Sequence, residues 1–112
     1  MSKFDEAIET YQESLKDLGI TIDADLLTAV AKGLGPSIYN ADSSKVSSSD
    51  SEEIARVKNN FLIGKLGLAD GPELDAAIDS VIEQLGASNR NKYRAIFYAL
   101  LVVKLGQESF YA

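Results

Sequence analysis

The sequence contains no cysteine, no histidine and no tryptophan. Without cysteine there is no disulfide, no thiolate nucleophile and no Cys-ligated zinc or iron–sulfur centre. Without histidine the usual general base and the commonest metal ligand are missing, so Ser–His–Asp and Cys–His catalysis within one chain are excluded. Long apolar runs are lacking as well. The longest, Ala95 to Val103, spans nine residues, about half of the ~20 that a membrane-crossing helix needs. The opening residues Met1-Ser2-Lys3-Phe4-Asp5-Glu6 are charged from the start, which does not fit a secretory signal, and the expected location is cytoplasmic. Alternation of apolar and polar residues is nowhere sustained, and no strand is expected.

What is present is an ordinary globular composition on 112 residues, with 46% hydrophobic and 25% charged positions. A chain of this length hides roughly 65% of its unfolded surface on folding, enough for one core without staples. The expectation is a single helical domain over residues 1–112. The net charge is −6, but unevenly spread: residues 1–86 carry seven cations against sixteen carboxylates, whereas residues 87–112 carry four cations and one carboxylate. An acidic body disfavours nonspecific contact with nucleic acid or anionic membrane. A basic end leaves room for a local anion.

Apolar spacing defines the elements. Phe4, Ile8, Tyr11, Leu15 and Leu18 fall at steps of four, three, four and three, one helical stripe. Ser2 is its expected cap and Gly19 its stop. Asp23 opens a second helix through Leu26, Leu27, Val30 and Ala31, closed by Gly33-Leu34-Gly35. Pro36 to Asn40 is expected to make one short helical turn. Residues 43–51 hold six serines and read as an exposed connector. Ser49 or Asp50 then caps a helix with Ile54, Val57, Phe61 and Leu62 on its buried side, ending at Gly67 and weakened by about 1 kcal/mol at Gly64. A fourth helix begins at Asp70-Gly71-Pro72-Glu73 and runs through Leu74, Ile78, Val81 and Leu85 to Gly86. Ser88 is the expected cap of the last helix. Its residues Tyr93, Ile96, Phe97, Leu100, Leu101 and Val103 are too broadly apolar for a surface position, so this helix should be central. The fold class is all-α, a compact bundle of about five helices. The endings Lys65-Leu66-Gly67 and Lys104-Leu105-Gly106 also hint at a weak internal repeat.

One segment breaks a local rule. Helix N-termini carry partial positive charge and favour acids. The other starts obey this, with Asp5-Glu6, Asp25, Glu52-Glu53 and Glu73-Asp75. Ser88-Asn89-Arg90-Asn91-Lys92-Tyr93-Arg94 instead brings three cations to the expected start of the last helix. Such violations fall often at functional sites. The functional expectation is an anion or partner site built from Asn89, Arg90, Lys92 and Arg94, joined by Tyr39 and Asn40 if the two segments meet. The bland alternative is internal compensation by carboxylates such as Asp42, Asp79 and Glu83. Gly33 to Asn40 superficially suggests a phosphate loop, but matches neither nucleotide fingerprint. No Glu-x-x-His metal motif exists, no calcium-loop spacing appears around Asp42 or Asp50, and no cofactor is implied.

Three stretches resemble a known family of small bacterial proteins of unknown function, domain of unknown function 2853: Lys32 to Asn40 (KGLGPSIYN), Asn60 to Ile63 (NFLI), and Ser88 to Arg94 (SNRNKYR) followed by Phe97-Tyr98. The resemblance extends over nearly the whole chain. Gly33, Gly35, Pro36, Tyr39 and Asn40, and Asn89 to Arg94, match it position by position. It implies a stand-alone bacterial domain and supplies no activity, cofactor or catalytic residue. The leading functional expectation is therefore a binding module for an unknown protein or a small anionic ligand. A structural homo-oligomer, buried through the last helix or the tail Phe110-Tyr111, is the second. An enzyme working through Asp, Glu, Lys or Tyr alone is the third.

Overall fold

A computed structural model describes residues 2–40, 44–86, 88–89 and 92–111. Arg90, Asn91 and Asp42 therefore lie outside the described residues.

Helix α1 (Lys3–Leu18) starts on a reciprocal capping box: the Asp5 amide donates to Ser2 Oγ at 3.1 Å, and the Ser2 amide donates to Asp5 Oδ2 at 3.4 Å. This satisfies two of the amides that a helix start leaves without a partner. Gly19 closes it in the left-handed region at φ 69°, and the Ile20 amide reaches back to the Leu15 carbonyl at 2.9 Å. Of the predicted stripe, Tyr11 and Leu15 are buried, while Phe4, Ile8 and Leu18 pack partly buried against the core.

Helix α2 (Ala24–Leu34) is capped by the Asp23 carboxylate, which accepts from the Asp25 amide at 2.9 Å. The 3₁₀ turn Gly35–Tyr39 follows, with Pro36 in its first turn and Ile38 buried. Helix α3 (Ser51–Arg56) is capped by Asp50, which accepts from the amides of Glu52 and Glu53. The chain then widens into a π segment, Val57–Lys65, where the Leu66 amide donates five residues back to the Phe61 carbonyl at 2.9 Å. The sequence predicts one regular helix here. The wider turn brings Val57, Phe61, Leu62 and Leu66 into the core together. Gly64 belongs to it: a Cβ there would lie 3.1 Å from the Asn59 carbonyl oxygen. Runs of π-helix are rare and concentrate at functional sites.

Helix α4 (Pro72–Leu85) buries Leu74, Ala77, Ile78, Val81 and Leu85. Its start is tied to the π segment by Lys58, whose ammonium lies 2.9 Å from Asp70 and 3.1 Å from Asp75. Helix α5 spans Arg94–Lys104, capped by the extended backbone of Tyr93. The predicted cap at Ser88 is thus corrected by five residues, to Tyr93. Two uses of the preceding chain explain the delay. The Asn89 side chain turns back to donate to the Leu85 carbonyl at the end of α4, at 3.0 Å. Residues 92–94 then pair in extended form with 44–46, through Val46 N–H to Lys92 C=O at 2.8 Å and Arg94 N–H to Ser44 C=O at 2.7 Å.

Every residue of α5 from Ala95 to Val102 is buried, and the helix packs against α1, α2 and α4. It is the centre of an all-α bundle, as its all-round apolar pattern predicts. The Cα radius of gyration, 13.0 Å, equals the ~13 Å expected for a compact chain of this length. The chain ends in a second 3₁₀ turn, Glu108–Tyr111. Gly19, Gly35, Gly67, Gly86 and Gly106 all have positive φ, at the stops that sequence spacing assigns. No described helix is long and apolar enough to cross a membrane.

Candidate functional site

Two regions at opposite ends of α5 carry the chemistry. At the N-terminal end, the two described cations of the unusual segment, Lys92 and Arg94, face inward. Lys92 is only 2% exposed and is the one buried charged residue among those described. Its ammonium donates to the Asn89 carbonyl, and burial pushes its pKa down. Arg94 sits in the first turn of α5, against the helix dipole. Its guanidinium donates to Tyr98 Oη at 2.9 Å, to the Lys45 carbonyl at 3.3 Å and to Glu53 Oε1 at 2.5 Å. The second Glu53 oxygen takes Arg56 at 2.8 Å. Burial works to raise the Glu53 pKa, but the hydrogen bonds and charges of Arg56 and Arg94 hold it below the usual carboxylate range. The compensating acid is thus Glu53, from a different helix than sequence reasoning offers.

The aromatic rings complete this region. Tyr98 stacks on Phe61 of the π segment with centroids 4.0 Å apart, so Arg94, Glu53 and the π segment form one packed unit. Tyr93 meets Tyr11 at 5.3 Å and lies under the Lys45 ammonium at 5.5 Å. Burial, reinforced by the neighbouring Tyr93 and Tyr39 phenols, pushes the Tyr11 pKa up to about 12. Tyr39 is 45% exposed. The Asn40 amide donates to Ser37, and its carbonyl accepts from the Ser44 amide at 2.8 Å. Because Ser44 in turn accepts from the Arg94 amide, the backbone brings the Asn40 loop up to residues 92–94.

At the C-terminal end of α5 lies a cleft of about 390 Å³, lined by Asp23, Asp25, Leu26, Val103, Glu108 and Tyr111. Asp23, Asp25 and Leu26 come from the start of α2, Val103 from the end of α5, and Glu108 and Tyr111 from the terminal 3₁₀ turn. Among the described residues no Lys or Arg forms an ion pair with any of the three carboxylates. Of the apolar lining Leu26 is buried and Val103 is 45% exposed, and beside the cleft Phe110, in edge contact with the Tyr111 ring at 5.0 Å, is 46% exposed. The Lys65 ammonium lies over the Tyr111 ring, 5.9 Å from its centre. Burial and the nearby Tyr98 raise its pKa, away from any use as a base near neutrality. No group of three or more acidic side chains among the described residues is arranged to hold a metal.

A family model for proteins of unknown function matches residues 10–109. The chain belongs to the DUF2853 family. No curated protein matches it. The DUF2853 match takes in the inward cation cluster and all of the cleft except Tyr111. Sequence reasoning singles out Asn89, Arg90, Lys92, Arg94, Tyr39 and Asn40 and passes over the cleft. Asp23 and Asp25 look like ordinary helix-start acids, and Glu108 is far away in the chain. Helical spacing puts Val103 on the Ile96–Leu100 stripe, so the available signal was the aromatic pair Phe110-Tyr111 beyond the helix.

Proposed function

We propose that this DUF2853 domain is a binding module and that it binds at the cleft between the start of α2 and the terminal 3₁₀ turn. The observation that carries the reading is the meeting, in one concave place, of three carboxylates with no described cationic partner and of solvent-exposed Val103 beside Leu26 and Tyr111. Pockets that recognise ligands combine an apolar lining with a few convergent polar groups. Here the charged groups are all anionic, and the body around them carries most of the chain's negative charge. The ligand chemistry that fits is a cation with an apolar part.

The test is amide NMR of the labelled domain titrated with phenethylammonium, with phenylacetate and with inorganic phosphate. Phenethylammonium should shift residues 23–26 and 103–111, and phenylacetate should not. Equal shifts by both, or none by either, overturns the cleft reading. The phosphate arm addresses the alternative, an anion site at Asn89, Arg90, Lys92 and Arg94 with Tyr39 and Asn40. That alternative is favoured by one observation: α5 is the α-helix whose first turn holds no acid. Shifts confined to residues 88–94 with phosphate would move the function there.

A further inference from the structure

We infer that the occupant of the cleft is a basic helix from another protein, one face of which carries both an apolar anchor for Leu26, Val103 and Tyr111 and Lys or Arg side chains facing Asp23, Asp25 and Glu108. This rests on the binding-module reading above. The cleft volume, about 390 Å³, lies near the lower end of the ~300–1,000 Å³ of small-molecule pockets. It takes an anchoring side chain more readily than a whole cofactor. The exposed Phe110 beside Tyr111 extends the apolar surface past the cleft itself, so the contact favours something longer than a single small ligand. A peptide bound by strand addition would need a sheet edge offering rows of main-chain groups. The described residues contain only the isolated Lys45–Tyr93 bridge, at the other end of α5. The cleft is walled by helix ends and a 3₁₀ turn, which present side chains. That is the helix-in-groove mode, read through anchors and charges three and four residues apart.

Charge decides against a second copy. A two-fold pair over this cleft would set Asp23, Asp25 and Glu108 against themselves, because a symmetric interface repeats the same patch on both sides. Two of the cations in the basic end of the chain, Lys92 and Arg94, are engaged inside the fold. A partner bearing its own cations is steered in by the acidic body.

The experiment uses fluorescence anisotropy with a synthetic Ala-based helix of about four turns, carrying Leu at i and i+4 and Lys at i+3 and i+7. A control of the same composition places Leu and Lys on opposite faces. The peptide with Leu and Lys on one face should bind at least about tenfold more tightly than the control, and the Asp25→Asn/Glu108→Gln protein should lose about tenfold in affinity. Equal binding of both peptides overturns the helix inference, while a persisting phenethylammonium response leaves the cleft reading intact. Loss of both responses overturns both. Sedimentation showing self-association that Val103→Lys abolishes would assign the cleft to a second copy and overturn the inference.

Discussion

The two ends of α5 treat charge in opposite ways. At the N-terminal end, Lys92 and Arg94 are turned into the fold and held by Asn89, Glu53, Tyr98 and the Lys45 carbonyl. At the C-terminal end, Asp23, Asp25 and Glu108 stand around a solvent-open apolar cleft, with no ion pair among the described residues. The first region is conspicuous in the sequence and the second is not. A charge that contradicts its helix dipole can be compensated from across the fold, as Glu53 does for Arg94. Charges that agree with their dipole, as Asp23 and Asp25 do, remain available to something outside.

Breaking the first region should cost most. Arg94→Met removes the partner of a Glu53 carboxylate that is 12% exposed, and losing one member of a buried pair costs about 3 kcal/mol or more. Urea denaturation at neutral pH should show this. Adding Glu53→Gln should recover part of the loss, because the half-compensated carboxylate, left with the exposed Arg56 alone, goes too. The acid limb follows from the same pair. The Glu53 pKa is lowered in the fold, so its contribution is present above the unfolded carboxylate range and disappears as pH falls through the folded value. The Glu53→Gln protein should lack that part of the acid-induced loss.

An alkaline limb comes next in size. Tyr11 is 2% exposed, and its pKa rises from 10.0 to about 12. The folded state therefore keeps its proton where the unfolded state releases it. Stability should fall by about 2–3 kcal/mol between pH 10 and 12, and Tyr11→Phe should flatten that decline in a pH-stepped denaturation series. The π segment gives a smaller effect. Gly64→Ala in a regular helix interior would stabilise by about 1 kcal/mol. Here the new methyl meets the Asn59 carbonyl at 3.1 Å, and thermal melts should show no gain. Smallest of all, Asp25→Asn/Glu108→Gln should change stability by about 0.5 kcal/mol or less, as exposed surface changes do. A large loss of stability there would erase the contrast between the two ends.

Much of the architecture is legible in the sequence, because helical spacing and glycine stops are strong local signals. Phe4 to Leu18, Leu26 to Ala31 and Leu74 to Leu85 each mark a helix by period alone, and five glycines end the elements where spacing places them. The all-round apolar pattern of Ala95 to Val102 marks the central helix. What escapes is set by contacts across the chain. Ser88 looks like a cap, but Asn89 is drawn back to α4 and residues 92–94 are drawn onto 44–46, so α5 begins five residues later, capped by Tyr93. The π segment has no local signature beyond Gly64, since its wider turn answers to Tyr98 stacking on Phe61. The cleft escapes because its walls come from residues 23–26 and 103–111, which no local pattern relates.

The central position of α5 also bears on the order of synthesis. Domains tend to fold from the N-terminus as they leave the ribosome, at about 5–20 residues per second. In this chain α1, α2 and α4 all pack on the helix that emerges last of the five. Until Ala95 to Val102 have appeared, the earlier elements have only their mutual contacts, such as α1 with α2 and α4 with the π segment, to close on. Their apolar faces must wait, shielded by the dense negative charge of the first 86 residues, and nascent-chain protection against proteolysis should arrive in one step with α5.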